Sequence, residues 1–334
     1  MTLYGKRILL IVPSFFMYEK AIKEGLEDIG AIVDYFDERP ANDFYTKALI
    51  RINKRLIKKN IDRYYHTIFT EVSERHYDYV FVVNIEAMPV AFLQAIRGRN
   101  RNSVFILYAW DSIQNKKGLS DFLPLFDFVF SFDSEDCLSS EHKVYFRPLF
   151  FLNEFESIAQ KDSFKYDLSF VGTAHSDRYS IIQQLRNQAE SYGFNNYWYL
   201  FLQDKKLFLY NKLTNPSFAK AHLSDFHYKP LERNSLLGVI SDSKIVIDIH
   251  HPKQTGLTMR TIETLGARRK LITTNNYVKK YDFYDERNIL VIDRERPILD
   301  IDFLKTPYVP LDECIYQKYS LRGWLDEIFS IVMK

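Results

Sequence analysis

Residues 243–275 read SKIVIDIHHPKQTGLTMRTIETLGARRKLITTN. Lys244 to Ile249 is an apolar, β-branched run of the kind that forms a strand buried on both faces of a parallel sheet. His250 to Gly256 is polar, and Pro252 and Gly256 exclude a helix there. From Leu257 to Ala267 a helical pattern returns, apolar at Leu257, Ile262 and Leu265 and polar at Thr258, Arg260 and Glu263. Leu271-Ile272 opens another strand, and Thr273 to Asn276 is the loop behind it. In a strand–loop–helix–strand unit the ligand crevice lies beyond the carboxyl end of the first strand. The free N–H groups and the positive dipole end of the helix attract phosphate there. Arg260, in the first turn, offers a cation to a diphosphate, and Glu263 offers a carboxylate to ribose hydroxyls. The same spacing also fits a surface ion pair, because a strand followed by an amphipathic helix is the common unit of α/β proteins. The density of polar groups between two apolar strands (His250, His251, Lys253, Gln254, Thr258, Arg260) favours a binding loop.

Length and composition set the bounds. A chain of 334 residues accommodates one large or two medium domains. Its 23 Tyr and 27 Phe suggest aromatic-rich walls, although residues of this type mostly fill cores. The formal charge of +2 gives no electrostatic argument for nucleic acid. Cys137 and Cys314 lie too far apart in sequence to suggest a disulfide framework or a metal knuckle, which fits a reducing cytosol. The apolar run within MTLYGKRILLIVPSFF is too short to span a bilayer, and no small-residue cleavage site follows it. It reads as a first buried strand.

The first half alternates strand and helix. Lys6–Val12 is a strand, Tyr18–Ile29 a helix stopped by Gly30, and Ala31–Phe36 a second strand ending in Asp37-Glu38-Arg39-Pro40. This βαβ opening lacks the G-x-G-x-x-G fingerprint, so no dinucleotide is expected here. Thr46–Tyr65 reads as one long helix with cations at Lys47, Arg51, Lys54, Arg55, Lys58, Lys59 and Arg63 and an apolar stripe at Leu49, Ile52, Leu56, Ile57 and Ile61. A solvated face on a core-packed helix is the preferred reading, and peripheral contact with an anionic membrane is the alternative. Tyr77–Val83 and Ser103–Ala109 are further strands, with Glu86 and Asp111 just beyond their carboxyl ends. A carboxylate there is placed to deprotonate an acceptor hydroxyl, and Asp111 is the first candidate base with Glu86 second. An Asp capping the following turn is the competing reading of Asp111. Phe128–Phe132 and the extended segment Tyr145–Leu149 complete a first domain over 1–152.

Residues 153–165 are polar and strandless and read as a linker. The pattern restarts with the strand Tyr166–Val171 and a polar loop, Gly172 to Asp177, leading into the helix Arg178–Tyr192. Such a loop suits phosphate. His175 is a further candidate in this phosphate-suited loop, although a lone loop histidine is commonly just solvated. Lys229 precedes the helix Glu232–Ser241 and is either a point charge for a diphosphate or a surface lysine. Asn288–Ile292 is a last strand, and Tyr316–Val332 a terminal helix with Leu321, Trp324, Leu325 and Ile328 on one face. The second domain is 166–315, followed by the terminal segment 316–334.

The segment GLTMRTIETLGARRKLITTN, residues 256–275, resembles the nucleotide-binding segment of group 1 glycosyltransferases of the GT-B fold, in the spore-maturation and capsule-type branch. Glu263 matches the glutamate that binds the nucleotide ribose in that family, and Leu271–Thr274 matches its apolar strand. Many retaining members carry a second glutamate where this chain has Thr255, so the resemblance leaves the stereochemical course open. Asp37–Pro40 is also similar to members of this branch. Phe170-Val171-Gly172 is similar to the end of the family's first strand in its second domain, which carries over Gly172 and Arg178 as donor-phosphate contacts. The resemblance implies an α/β protein with two facing, doubly wound Rossmann-like domains, an interdomain cleft, and a C-terminal helix, 316–334, that packs back on the first domain. It implies a nucleotide-sugar donor held by Gly172, His175, Arg178, Lys229, His250, Thr258, Arg260 and Glu263. It also implies a glycan or lipid-linked acceptor, used in bacterial surface polysaccharide or related glycan synthesis at the inner face of the membrane. No metal and no resident cofactor are expected: Asp300-Ile301-Asp302 has the letters of a D-x-D motif but lies outside the predicted cleft elements. The competing readings are a nucleotide-sugar epimerase of the same fold and a non-catalytic sugar-nucleotide or glycan-binding module.

Overall fold

The apolar runs named above become parallel strands, and the central ones, Ile8–Val12, Tyr79–Val83, Phe105–Ala109 and Ile245–Asp248, are buried on both faces. The computed structural model describes residues 2–114, 116, 118–139, 142–252 and 255–334, so Lys253 and Gln254 of the binding loop lie outside the described residues. The chain divides into two units, residues 1–149 together with 321–334, and residues 150–320.

In the first unit, β1 (Arg7–Val12), α1 (Tyr18–Asp28), β2 (Ile32–Asp37), α2 (Phe44–Asn53), α3 (Lys58–Val72), β3 (Tyr79–Val83), α4 (Val90–Arg99), β4 (Val104–Ala109), β5 (Phe128–Ser131), α5 (Ser134–Ser139) and β6 (Val144–Phe146) follow in turn. The sheet order is β2-β1-β3-β4-β5-β6 with every pairing parallel. The direction of winding reverses between β1 and β3, and at such a switch point the helices leave the strand ends open.

The second unit begins with α6 (Asn153–Glu156) and runs through β7 (Tyr166–Thr173), α7 (Arg178–Ser191), β8 (Asn196–Phe201), α8 (Lys205–Thr214), α9 (Arg233–Ser241), β9 (Ser243–Asp248), α10 (Met259–Gly266), β10 (Lys270–Thr273), β11 (Ile289–Val291), α11 (Ile301–Lys305) and α12 (Glu313–Lys318). Its parallel sheet has the order β11-β10-β9-β7-β8 and reverses between β7 and β9. Helix α10 is stopped by a Schellman turn: Arg269 N–H bonds Thr264 O, Arg268 N–H bonds Leu265 O, and Arg268 takes the left-handed conformation at φ 52°. Gly266, in its last turn, is required by packing, since a Cβ there would lie 2.6 Å from the Phe151 ring.

The last helix, α13 (Leu321–Val332), belongs to the first unit. Trp324 is fully buried, stacked on Phe81 at 5.8 Å and edge-on to Tyr108 at 4.8 Å. Leu321 and Leu325 lie over Gly25 of α1.

Two expected helices are broken. The stretch 46–65 is not one helix: α2 ends at Asn53, a 3-10 turn covers Lys54–Ile57, and α3 starts at Lys58. Asn53 leaves helical geometry, and its side chain accepts the Arg55 N–H, the local competition that makes Asn a poor interior helix residue. The stretch 316–332 is likewise two helices, interrupted where Phe151 N–H bonds Tyr319 O and a β-bridge forms between Phe151 and Ser320. Asp300 caps α11 by accepting the N–H groups of Asp302 and Phe303. Both cysteines are free. Among the described residues no helix is long and apolar enough to cross a membrane, and no group of three or more His, Cys, Asp or Glu could hold a metal ion.

Because α13 fills a space bounded by large aromatic rings, truncating Trp324 leaves a cavity that neighbours cannot close. Trp324→Ala is expected to lower stability by about 3–5 kcal/mol, read as a shift of the urea midpoint with little change in slope.

Candidate functional site

At the carboxyl ends of β11, β10, β9 and β7 the second unit gathers cations and neutral imidazoles. Asp248, the last residue of β9, accepts the hydroxyls of Thr258 (2.6 Å) and Thr261 (2.8 Å) at one oxygen. Thr258 is the N-cap of α10 and also accepts the Thr261 N–H at 3.2 Å, so its hydroxyl is committed to holding the helix start. Arg260, in the first turn, donates Nη1 to Glu263 Oε2 at 2.7 Å, and both side chains are largely buried. They form the ion pair that the spacing allowed, but at a strand end and not on a solvated face. Arg260 Nε has no protein partner among the described residues.

Arg178 begins α7 and ties the ends of two strands together. Nε donates to Ile249 O at 2.5 Å and Nη1 to Thr173 O at 3.1 Å. Burial pushes its pKa down, and the nearby charges of Arg294 and Arg260 add to the effect. Three guanidiniums therefore lie close enough to feel one another's charge, with the Asp248 carboxylate among them opposing the shift. Gly172 leaves room for Phe170: a Cβ there would lie 2.8 Å from that ring, whereas Arg178 Nη1, at 3.5 Å, would be in ordinary contact with it.

Arg294 was not singled out in the sequence, yet it binds the cluster together. Nη1 pairs with both oxygens of Asp177 at 2.6 and 2.7 Å, and Nη2 donates to His250 O at 2.5 Å. His250 Nδ1 lies 2.8 Å from Thr274 Oγ1, at the end of β10. Burial, with Arg294 alongside, holds the His250 pKa down to about 4. His175 is not a freely solvated loop residue. It is partly buried, 3.1 Å from Ser176 Oγ, its ring stands 5.4 Å from that of His251, and burial with Arg178 brings its pKa to about 4. Both imidazoles are thus neutral hydrogen-bonding groups at neutral pH. Lys229 lies elsewhere, exposed beside β8, with its main-chain oxygen accepting the Tyr199 hydroxyl at 2.7 Å. The loop after β11 was the signal that would have found Arg294, which lies three residues beyond Val291 at the same sheet end as the others.

In the first unit, Asn84, Glu86 and Asp111 come together at the ends of β3 and β4. Asn84 adopts φ 57°, a left-handed position that Asn tolerates better than most residues. Its amide donates to Asp111 Oδ2 (3.0 Å) and Glu86 Oε1 (3.3 Å), and its oxygen accepts Lys116 Nζ at 2.7 Å. Lys116 also reaches Asp111 at 3.1 Å. Glu86 is committed to a two-point pair with the buried Arg39, 3.0 and 3.3 Å, which reduces its value as a base. Asp111 is more than half exposed and remains the accessible carboxylate. Glu38, fully buried, accepts the N–H groups of Glu86, Ala87 and Met88 at one oxygen, 2.7–2.8 Å, and so fixes the loop that carries Glu86. Its other oxygen has no protein partner among the described residues, and burial raises its pKa to about 7 against the opposing pull of those three donors. Glu86, Asp111 and Lys116 line a cavity of about 850 Å3 that residues 50–55 also line.

No protein-family model matches the chain, and no curated protein matches its sequence. Solved structures match its fold. Anabaena Alr3699/HepE in complex with UDP and glucose aligns at TM-score 0.61 and 10% identity, over 98% of this chain and 100% of that one. An alpha-glucosyltransferase in complex with UDP and a 13-mer DNA with a central A:G mismatch aligns at 0.60 and 12%, over 99% and 100%. The fold is GT-B. A UDP-GlcNAc 2-epimerase from Methanocaldococcus jannaschii also aligns, at 0.55 and 10% identity over 98% and 99%. At these identities the likeness is one of architecture, and two parallel-sheet α/β units are what the GT-B structures share with this chain.

Two titrations follow from this geometry. Glu38 is protonated more readily folded than unfolded, so its contribution is fully present below about pH 4.5 and is lost as pH rises through about 7. Glu38→Gln is expected to flatten the fall in stability between pH 5 and 8, by on the order of 3 kcal/mol, in urea unfolding at both pH values. His250 should titrate near 4 by NMR, against about 6.5 for an exposed ring. Arg294→Gln should move that midpoint upward by removing a neighbouring positive charge.

Proposed function

We propose that the chain is a glycosyltransferase that moves a sugar from a UDP-sugar to an acceptor hydroxyl. The observation that carries this reading is the gathering of Arg178, Arg260 and Arg294 at four parallel strand ends beside the start of α10. A departing nucleoside diphosphate develops negative charge, and preorganised guanidiniums and helix N–H groups stabilise it more than they stabilise the bound donor. Glu263 supplies the carboxylate for ribose hydroxyls, and the neutral His250 and His175 supply hydrogen bonds without adding charge. Two structures of the same fold are complexes with UDP, which supports that nucleotide. We assign the acceptor hydroxyl to Asp111 in the first unit. The acceptor oxygen bonds to the anomeric carbon as the bond from that carbon to the diphosphate oxygen breaks. The diphosphate leaves with the electron pair, and the hydroxyl proton passes to Asp111. This reading assigns charge neutralisation to guanidiniums and calls on no metal. The resemblance of residues 256–275 to capsule-type enzymes supports a surface glycan or its lipid-linked precursor as acceptor.

The likeness to UDP-GlcNAc 2-epimerases supports a second reading in which the donor is the only substrate. A panel of UDP-, GDP-, CMP- and dTDP-sugars separates the two, with thermal shift reporting binding and released nucleotide reporting chemistry. A UDP-sugar that stabilises the protein and slowly releases UDP is expected. A new sugar nucleotide with its diphosphate intact would replace transfer by epimerisation. Binding with neither outcome would make the chain a binding module, and binding of no donor would overturn both enzymatic readings.

Arg260→Gln keeps a donor toward Glu263, whereas alanine would leave that largely buried carboxylate without its ion-pair partner. The glutamine variant should lose about 100-fold or more in turnover with the urea midpoint nearly unchanged, and near-normal turnover would remove Arg260 from the mechanism. Asp111→Asn should cut transfer to the acceptor while leaving the donor's thermal shift in place.

A further inference from the structure

The cavity of the first unit carries a charge imbalance that the proposed reaction does not use. Its two carboxylates are both compensated: Glu86 by the buried Arg39 at 3.0 Å, and Asp111 by Lys116 at 3.1 Å. Arg51, Lys54 and Arg55 line the same cavity, are exposed, and have no ion pair among the described residues. The break in the expected 46–65 helix is what puts them there. Asn53 ends α2, the 3-10 turn holds Lys54 and Arg55, and Ile50 anchors the wall in the core of the unit. Two compensated acids and three uncompensated cations leave a pocket of net positive potential. The cavity, about 850 Å3, lies within the range of small-molecule sites, about 300–1,000 Å3.

We propose that the acceptor is an anion: a hydroxyl compound that carries a phosphate mono- or diester, with its phosphate on Arg51, Lys54 and Arg55 and its hydroxyl toward Asp111. This rests on the reading of Asp111 as the group that meets the acceptor. A single carboxylate is satisfied by one guanidinium in a two-point pair, so three adjacent cations match a group with more charge and more acceptor oxygens. Phosphate is that group. Lys116, shared between Asn84 and Asp111, offsets the Asp111 charge, so the carboxylate and the incoming anion can occupy one cavity with less mutual repulsion.

The test is calorimetric titration of the full chain with glucose 6-phosphate and with glucose, with UDP present to occupy the guanidinium cluster of the second unit. The phosphorylated sugar is expected to bind at least ten-fold more tightly than glucose. That preference should vanish in an R51Q/K54Q/R55Q variant and survive in K59Q/R63Q, which removes exposed charge from α3 outside the cavity. The thermal shift given by UDP should be the same in all three proteins, which reports that the triple variant is folded. Equal binding of both sugars to the unaltered protein would overturn the proposal, as would a preference that the triple variant retains. Binding to phosphatidylglycerol vesicles that the triple variant loses, with no preference for glucose 6-phosphate, would make residues 51–55 a membrane-facing patch and also overturn it. If UDP gives no thermal shift, the donor assignment fails by itself, while the phosphate preference and its loss are still read without the nucleotide.

Discussion

Burial of both faces of a parallel sheet is the constraint on which the rest of this structure depends. The side chains of Ile8 to Val12 and of Val80 to Val83 are shielded from solvent on either side, and the same holds for Ile245 to Ile247. Such strands have no solvated face on which to place polar chemistry. Charged and hydrogen-bonding groups are therefore confined to the strand ends, and the winding reversals in both sheets open those ends to ligands. Asn84 and Asp111 in one unit, and Arg178, His250, Thr274 and Arg294 in the other, are all consequences of this geometry.

Charge at these ends is handled by compensation rather than by exposure. Arg294 is matched to Asp177, Arg260 to Glu263 and Arg39 to Glu86. Arg178 spreads its charge over main-chain oxygens. The histidines among these cations stay neutral, because burial and positive neighbours both oppose protonation. Glu38 is the exception, a fully buried carboxyl with one oxygen clamping three N–H groups and the other without a partner among the described residues. Its cost in stability is tolerated where it fixes the loop bearing Glu86. Against this background of paired charges, the uncompensated Arg51, Lys54 and Arg55 stand apart.

The positions of Arg260 and Glu263 were readable because they are local: three residues apart on one helix, directly after a strand. So was Asp111, at the end of an apolar run. Arg294 was not, since its partner Asp177 is 117 residues away and only the order of strands in the sheet brings them together. Nor was the pairing of Arg39 with Glu86 across 47 residues, which leaves Asp111 as the accessible carboxylate of the two. The continuous helix expected over 46–65 failed for a local reason, the side chain of Asn53 competing for the Arg55 N–H, and a periodicity count does not register that competition.

By itself the sequence determined the alternation of strand and helix, the two α/β units and the polar loops at strand ends, because hydrophobic periodicity and turn residues act over a few positions. The tertiary structure decided which charges meet, which are cancelled and which are left over. Those outcomes depend on strand order, and strand order is set by long-range packing that no short window of sequence contains.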